Sequence, residues 1–446
     1  MKSILSIFKA APHITPIKDK EKIKKLYNTM RIRMMYTSIV GYAAYYLVRK
    51  NFSMAMPSFL SELGYTKTDL GLILALFSVI YGLGKFFNGM LADRSNPRYF
   101  MALGLIGAAV MNIFFGMSSS LIFLGIFWLL NAWFQSMGWP PCARILTHWY
   151  CPKELGTWWG IWNSSHQIGG AGILILAGFL ISNFGWRTAF YFPAFLALLA
   201  AMFLLYNLRD TPRSLGLPSI EKYRGYVKES EEQDELEDLT TKEILFNHVL
   251  NNKFIWLLCA ANFFVYIVRI GVLDWAPTYL VEAKGSGLAS AGFKVAGFEI
   301  AGILGAFAAG WISDTIFKGR RGPVNFIFML LIIGFLFYFW KTPAGHPWLD
   351  ALSLTAIGFL IYGPQMLVAV AAADFASKKA AATATGLTGT FGYLGSTVCA
   401  VCTGVFVDKW GWDGGFIFYI TCAIIGTLLF IPTLTQRSKT LDNIHV

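Results

Sequence analysis

Apolar runs of roughly 20 residues, the length a helix needs to cross bilayer hydrocarbon, follow one another along most of this chain. They lie near 33–59, 70–92, 99–118, 120–141, 156–181, 186–206, 254–280, 290–315, 323–340, 349–371, 380–407 and 411–434. That is about twelve spans, in two sets of six. The runs are continuous and lack the alternation of lipid-facing and lumen-facing residues that barrel strands carry, so helices are expected and a β-barrel is not. Composition agrees. Of 446 residues 56% are hydrophobic and only 14% charged, and the mean hydropathy is +0.54, a balance that lipid must solvate. The expected fold class is an all-α membrane protein with about twelve transmembrane helices in two pseudo-symmetric six-helix bundles.

The basic residues sit on alternate loops. Lys18, Lys20, Lys22, Lys24, Lys25, Arg31 and Arg33 precede or open the first span, and Arg94, Arg98, Arg144 and Lys153 follow on the same side. Arg209, Arg213, Lys222, Arg224, Lys228, Lys318, Arg320, Arg321, Lys378 and Lys379 continue the pattern, whereas the opposite loops hold little beyond Lys67, Lys284, Lys341 and Lys409. Positive charge marks the cytoplasmic side, so both termini are expected there. The net charge of +12 is therefore mostly topology, and nucleic acid is not an expected partner. Residues 1–30 read as a cytoplasmic segment that can lie on the bilayer surface, and 31–206 as the first six-helix half. Residues 207–252 read as a solvated linker with the acidic run Glu229 to Asp238, 253–435 as the second half, and 436–446 as a tail.

Two arginines stand deep in these apolar runs. Tyr46 to Leu60 reads YLVRKNFSMAMPSFL and Tyr266 to Leu280 reads YIVRIGVLDWAPTYL, so that Arg49 and Arg269 recur at a constant separation (269 − 49 = 220). An arginine near the bilayer centre costs at least ~3 kcal/mol on insertion scales, which makes each a candidate site. Two fixed planar forks of donors match an anion of charge near −2, such as phosphate or a phosphate monoester.

The repeat continues past the arginines. Phe77 to Ser95 matches Phe298 to Ile316, pairing Gly84 with Gly305, Gly89 with Gly310 and Asp93 with Asp314. Each copy ends in a basic turn, with Arg94 and Arg98 in one and Arg320 and Arg321 in the other. This G-x-x-x-D followed by basic residues resembles the loop motif of the major facilitator superfamily, in which glycine lets helices approach and Asp with Arg can form a latch. Lys85, His166 and Glu299 have no charged counterpart at Ala306, Gly392 and Ser78. They are candidates for an asymmetric substrate end; a snorkelling lysine and a packed neutral histidine are the plainer readings of the first two. Tyr42, Tyr46 and Arg49 share one helix face by spacing, Tyr81 precedes Lys85 by a turn, and Tyr266 precedes Arg269.

Other chemistry is not indicated. Cys399 and Cys402 form a C-x-x-C inside an apolar span with no second pair or histidine nearby, which reads as packing and not metal binding. No phosphate-binding nucleotide loop occurs, and no nucleophile with a base is apparent, so neither an enzyme nor an organic cofactor is expected.

Longer strings carry a more specific likeness. GYAAYYLVRKNF, YGLGKF, DRSNPR, WFQSMGWPPCAR, GIWNSSHQIGG, YIVRIGVLDWAPTYL, GFLIYGPQML and SKKAAATATGLTGTFGYLG strongly resemble the organophosphate:phosphate antiporters, a branch of the major facilitator superfamily, over roughly residues 30–435. The resemblance implies exchange of inorganic phosphate for a phosphate ester across a bacterial cytoplasmic membrane, by a chain that works as a monomer. By the same motifs Arg49 and Arg269 would hold the phosphate, and Lys85 and His166 would assist. Tyr42, Tyr46, Tyr81, Gln135, Trp139, Asn163, Tyr266, Glu299, Tyr362 and Tyr393 would line the path. GWPPCAR and VLDWAPTYL look like the glycerol 3-phosphate branch; WNSSHQIGGAG and the acidic linker look like the hexose phosphate branch and its sensor-like relatives. Some hexose phosphate carriers place an acid and a base where Thr385 and Thr388 stand here. Hexose 6-phosphate is the favoured ester and glycerol 3-phosphate the alternative. A receptor that signals to a histidine kinase and a proton-coupled symporter using His166 or Glu299 remain the readings of other classes.

Overall fold

A computed structural model describes residues 9–225, 250–376 and 381–436 of the chain. The acidic run Glu229 to Asp238, Lys228, Lys378, Lys379 and the C-terminal tail from 437 lie outside the described residues. The long helices run in order as α1 (Lys20–Leu47), α2 (Asn51–Glu62), α3 (Lys67–Asp93), α4 (Pro97–Met117), α5 (Leu121–Gln135), α6 (Trp139–Trp149), α7 (Pro152–Phe184) and α8 (Thr188–Asn207). A short α9 (Ile220–Arg224) is followed by α10 (Lys253–Glu282), α11 (Leu288–Thr315), α12 (Arg321–Lys341), α13 (Pro347–Phe375) and α14 (Ala381–Leu429). Among the described residues ten helices are long and apolar enough to cross a membrane. The lower figure has a simple cause at each end of the chain. The first expected span is divided between α1 and α2, and α14 contains two spans joined at Gly411, whose φ of 66° and ψ of −170° turn the chain as only glycine does without strain.

Local sequence starts these helices in the expected way. Asp19 accepts from the amides of Glu21 and Lys22 at 3.0 and 3.3 Å to cap α1. Asn96 caps α4 ahead of Pro97, and Asn252 caps α10, each through its own side-chain oxygen. Two spans are broken inside the membrane-length runs, α1 from α2 at 48–50 and α5 from α6 at 136–138. Gly138 and the prolines at 140 and 141 account for the second break, since proline suits the first turn of a new helix.

Packing divides the chain into two compact units that cut across the two sequence repeats. One holds Met1–Asn51, Ile80–Ile173 and Arg187–Asp238; the other holds Phe52–Val79, Leu174–Trp186 and Leu239–Val446. In the first, the stretch expected to be a solvated linker is partly built into the core. Leu208, Asp210, Leu217 and Ile220 are buried, Tyr27 donates to Pro218 O at 2.8 Å, and Asp210 pairs with Arg144 at 3.0 Å. Leucines and isoleucine at those positions gave the segment apolar surface to bury, which its neighbouring charges masked in a composition reading.

In the second unit, α2 and the start of α3 pack on helices of the second repeat. Ser53 Oγ donates to Asp274 Oδ1 at 3.1 Å, Lys67 pairs with Glu282 at 3.2 Å, and Thr68 donates through N and Oγ1 to Asp408 Oδ2 at 2.7 and 2.6 Å. The Asp408 carboxylate thus caps the N-terminus of α3, where the helix dipole favours an anion.

The loop-motif glycines separate into two kinds. A methyl group at Gly84 would collide with Ser136 Oγ, and one at Gly305 with the backbone of Phe359; α11 and α13 touch through backbone there. Gly89 has nothing within 4 Å, and Gly310 only Met366 Cε at 3.5 Å. Gly305→Ala is therefore expected to lower the thermal midpoint of the purified protein, by about 1–3 kcal/mol of overpacking, whereas Gly89→Ala leaves it unchanged. Melting curves of both variants in one detergent check this.

Candidate functional site

Arg49 occupies the turn between α1 and α2, not the interior of a helix. Unwinding strands carbonyl groups that no water can reach in a bilayer, and three buried amides answer them. Asn112 Nδ2 of α4 and Asn131 Nδ2 of α5 each donate to Val48 O at 3.0 Å, and Gln135 Nε2 donates to Tyr45 O at 2.9 Å and Val48 O at 3.4 Å. Asn51 joins the network through Asn112 Oδ1 at 2.8 Å and Ala189 O at 3.0 Å. Gln135, expected to line the path, spends these contacts on the backbone beside Arg49. Asn51, Asn112 and Asn131 were missed in the sequence, although amides within apolar runs are the signal that could have found them.

Around this turn the first unit gathers an aromatic and basic cluster. The Arg49 guanidinium lies 4.3 Å from the Tyr81 ring centroid and 5.5 Å from that of Tyr46. Lys85 Nζ lies 5.8 Å from the Tyr81 centroid and 5.0 Å from that of Trp139. Cations over aromatic faces are attracted by the ring quadrupole, which supports charge where water is scarce. Tyr42 touches Tyr46 at 5.7 Å between centroids and Trp162 at 4.8 Å, and His166 meets Tyr46 at 5.7 Å. Gly169, on α7, lies against the backbone of Ala43 where a methyl group would not fit, and this approach lays His166 beside Tyr46. Trp139 stacks on Trp159 at 5.6 Å; Asn163 is exposed one residue from buried Trp162.

Arg269 is set differently, inside continuous α10 within the second unit. It is 7% exposed, its Nη2 donates to Tyr362 Oη at 2.9 Å, and Tyr362 Oη donates in turn to Glu299 Oε2. The chain Arg269, Tyr362, Glu299 links three helices, α10, α13 and α11, through one phenol. Gly302 makes room for it, because a side chain there would enter the Tyr362 ring. Tyr266 lies 6.0 Å from Tyr393 between centroids, and its ring closes over Gly392. The arginines are thus equivalent in sequence and unlike in setting, one flanked by Lys85 and rings, the other joined to a fully buried carboxylate.

In the second copy of the loop motif Arg321 pairs with Asp314 and reaches Asp374 at 3.4 Å, while Arg320 takes the residue before α12. In the first copy the Asp93 side chain lies outside the described residues, Arg94 is exposed, and Arg98 donates to Leu205 O. Among the described residues no group of three or more metal-ligating side chains occurs.

Broken spans, repeated arginines and apolar helices define a polytopic carrier, and the comparisons agree: residues 38–400 match the Major Facilitator Superfamily. The chain belongs to that superfamily and, within it, to the organophosphate:phosphate antiporter branch whose motifs it carries. It is 47% identical to the "Probable hexose phosphate transport protein" of Chlamydia pneumoniae over 97% of both chains. It is 45% identical to the "Glycerol-3-phosphate transporter" of Bacillus subtilis, covering 99% of this chain and 100% of that one. It is 40% identical to "Membrane sensor protein UhpC" of Escherichia coli over 97% and 98%. Among solved structures, a bacterial homologue of the human lysosomal transporter Spinster superposes with a TM-score of 0.72 at 18% identity, covering 90% and 96%, which supports the fold. The protein is an integral membrane protein and a transporter-family member, not an enzyme.

Asn112→Leu removes the amide that joins Val48 O to Asn51. Val48 O keeps Asn131 and Asn51 keeps Ala189 O, so the loss is that of two buried hydrogen bonds at about 0.5–1.5 kcal/mol each, and the variant is expected to melt below the parent protein in the same detergent.

Proposed function

We propose that this chain exchanges a sugar phosphate, hexose 6-phosphate in preference to glycerol 3-phosphate, for inorganic phosphate by alternating access. The observation that carries the reading is the repeat-related pair of membrane arginines, each held among tyrosines, at Arg49 and Arg269. Relatives named for hexose phosphate and glycerol 3-phosphate transport, similar over nearly their whole length, support the substrate class. In this reading the guanidinium forks of Arg49 and Arg269 both serve the phosphoryl group. Lys85 and His166 beside Arg49, and Glu299 beside Arg269, discriminate among esters. Arg269 enters the cycle already linked to Glu299 through Tyr362, and a phosphate dianion competes for the same donors. The empty carrier crosses slowly, because bringing fixed positive charges into low dielectric without an anion is costly. Such a device exchanges and does not leak. In this reading both termini face the cytoplasm, as the positive-inside pattern suggests, and the monomer is the working unit.

Uptake of labelled glucose 6-phosphate into phosphate-loaded liposomes tests this. Wild-type protein is expected to exchange, and Arg49→Lys or Arg269→Lys to fall to background while remaining inserted, since a point charge does not replace a fork. Exchange by both variants at the parent rate overturns the two-arginine site. The 40% identity to a membrane sensor gives the second reading its basis, and binding without exchange would favour it. Uptake driven by a pH gradient into phosphate-free liposomes would instead mark a proton-coupled symporter.

A further inference from the structure

Three arginines that take no part in the clusters around Arg49 and Arg269 converge on the C-terminus of α8. Arg33 of α1 donates from Nη2 to Tyr206 O at 3.2 Å, and its guanidinium lies 5.7 Å from the Tyr206 ring centroid. Arg209 donates from Nη1 to Tyr206 O at 2.9 Å and to Leu208 O at 2.7 Å. Arg98 of α4 donates from Nε to Leu205 O and lies 5.2 Å from the Tyr99 ring centroid. All three are half-buried and belong to one packing unit.

A helix C-terminus carries only about half a unit of negative charge, so one cation offsets it and further cations repel one another. Burial first, and then Arg98 and Arg33, hold the Arg209 guanidinium below its ordinary pKa. Ion pairs of this unit include Arg31–Glu154, Arg224–Glu154 and Arg144–Asp210; among the described residues none of the three arginines takes part in one. Each applies a single nitrogen to backbone carbonyls; Arg33 Nε is closed in by protein, and the other nitrogens remain for an acceptor. The cluster is therefore a concentration of positive charge larger than the helix end requires.

What covers it is indicated by the surface beside it. On α1, Ile32, Tyr36 and Val40 recur every fourth residue and are 64%, 43% and 44% exposed. On α8, which packs against α1, Leu199, Met202 and Tyr206 are 42%, 57% and 74% exposed, and Tyr36 meets Phe203 at 6.1 Å between centroids. In a membrane-spanning chain these exposed apolar faces are lipid-facing, and a tyrosine at the helix end marks the headgroup level. Basic pockets between spanning helices on the cytoplasmic side suit anionic headgroups. A free anion would gain nothing from the apolar strip, whereas a lipid uses both parts.

We propose that Arg33, Arg98 and Arg209 bind the phosphate headgroup of an anionic phospholipid in the leaflet nearest the N-terminus, with an acyl chain along α1 and α8. Bound lipid supplies the negative charge that the cluster lacks and ties α1, α4 and α8 together.

The test uses full-length protein in neutral detergent, with thermal midpoints read after adding phosphatidylglycerol, phosphatidylcholine or inorganic phosphate. Phosphatidylglycerol is expected to raise the parent midpoint by several degrees, and phosphatidylcholine to have little effect. Arg33→Gln and Arg209→Gln each lose most of the phosphatidylglycerol shift; Lys24→Gln, on an exposed face of α1, retains it. Inorganic phosphate shifts parent and variants alike. Equal shifts with both lipids, or an undiminished phosphatidylglycerol shift in both glutamine variants, overturn the proposal. A phosphate shift lost only in those variants also overturns it, in favour of a free anion. Should the glutamine variants not survive purification, Arg33→Lys and Arg209→Lys keep the charge and lose the fork. They are expected to give about half the shift, and an undiminished one again overturns the proposal.

Discussion

The backbone turn at 48–50, closed by the side-chain amides of Asn112, Asn131 and Gln135, is the constraint on which the rest of this structure depends. Unwound chain inside a bilayer is tolerated only where protein satisfies its carbonyls. With Val48 O and Tyr45 O answered, the first span can stop and restart, and Arg49 can leave the helix surface for a cluster of Tyr46, Tyr81, Lys85 and Trp139. A continuous helix would hold the arginine in register with its neighbours and leave no freedom to aim it. Discontinuous helices of this kind are a recurrent feature of secondary carriers.

The two arginines then differ in what they need. Arg49 is supported by ring faces beside a second cation, so its surroundings favour an incoming anion. Arg269 is supported by Tyr362 and, through it, by Glu299, which is fully buried. That arrangement compensates the charge before any ligand arrives. Arg269 is tied by a hydrogen bond to Tyr362, and the Arg49 guanidinium lies over the Tyr81 and Tyr46 rings. A two-fold repeat has thus been made chemically one-sided by residues that it does not repeat.

Much of this was legible in the sequence. Apolar run length gave the spans, and the constant separation of Arg49 and Arg269 exposed the repeat. The likeness of long motifs pointed to the family that the comparisons bear out. The break at 48–50 was not legible, because its cause is three amides distant in sequence, and nothing local to YLVRKNF announces a turn. The role of Gly305 against Phe359, beside the idle Gly89 and Gly310, was also hidden, since spacing shows which glycines repeat but not which helices touch. The packed segment 208–224 escaped because a few buried apolar side chains among many charged ones do not move a composition average. Glu299 could be flagged as unpaired in the repeat, yet its link to Arg269 runs through Tyr362, whose position on α13 only packing reveals.

The central claim is that the phosphoryl group is the handle by which this protein takes its substrate. The most direct measurement is calorimetric titration of the purified protein with glucose 6-phosphate, inorganic phosphate and glucose, each alone and then in competition. The account predicts that glucose 6-phosphate and inorganic phosphate bind at one site and displace each other completely, and that glucose alone does not bind. Binding of glucose as tight as that of its phosphate, or simultaneous binding of phosphate and ester, would contradict it.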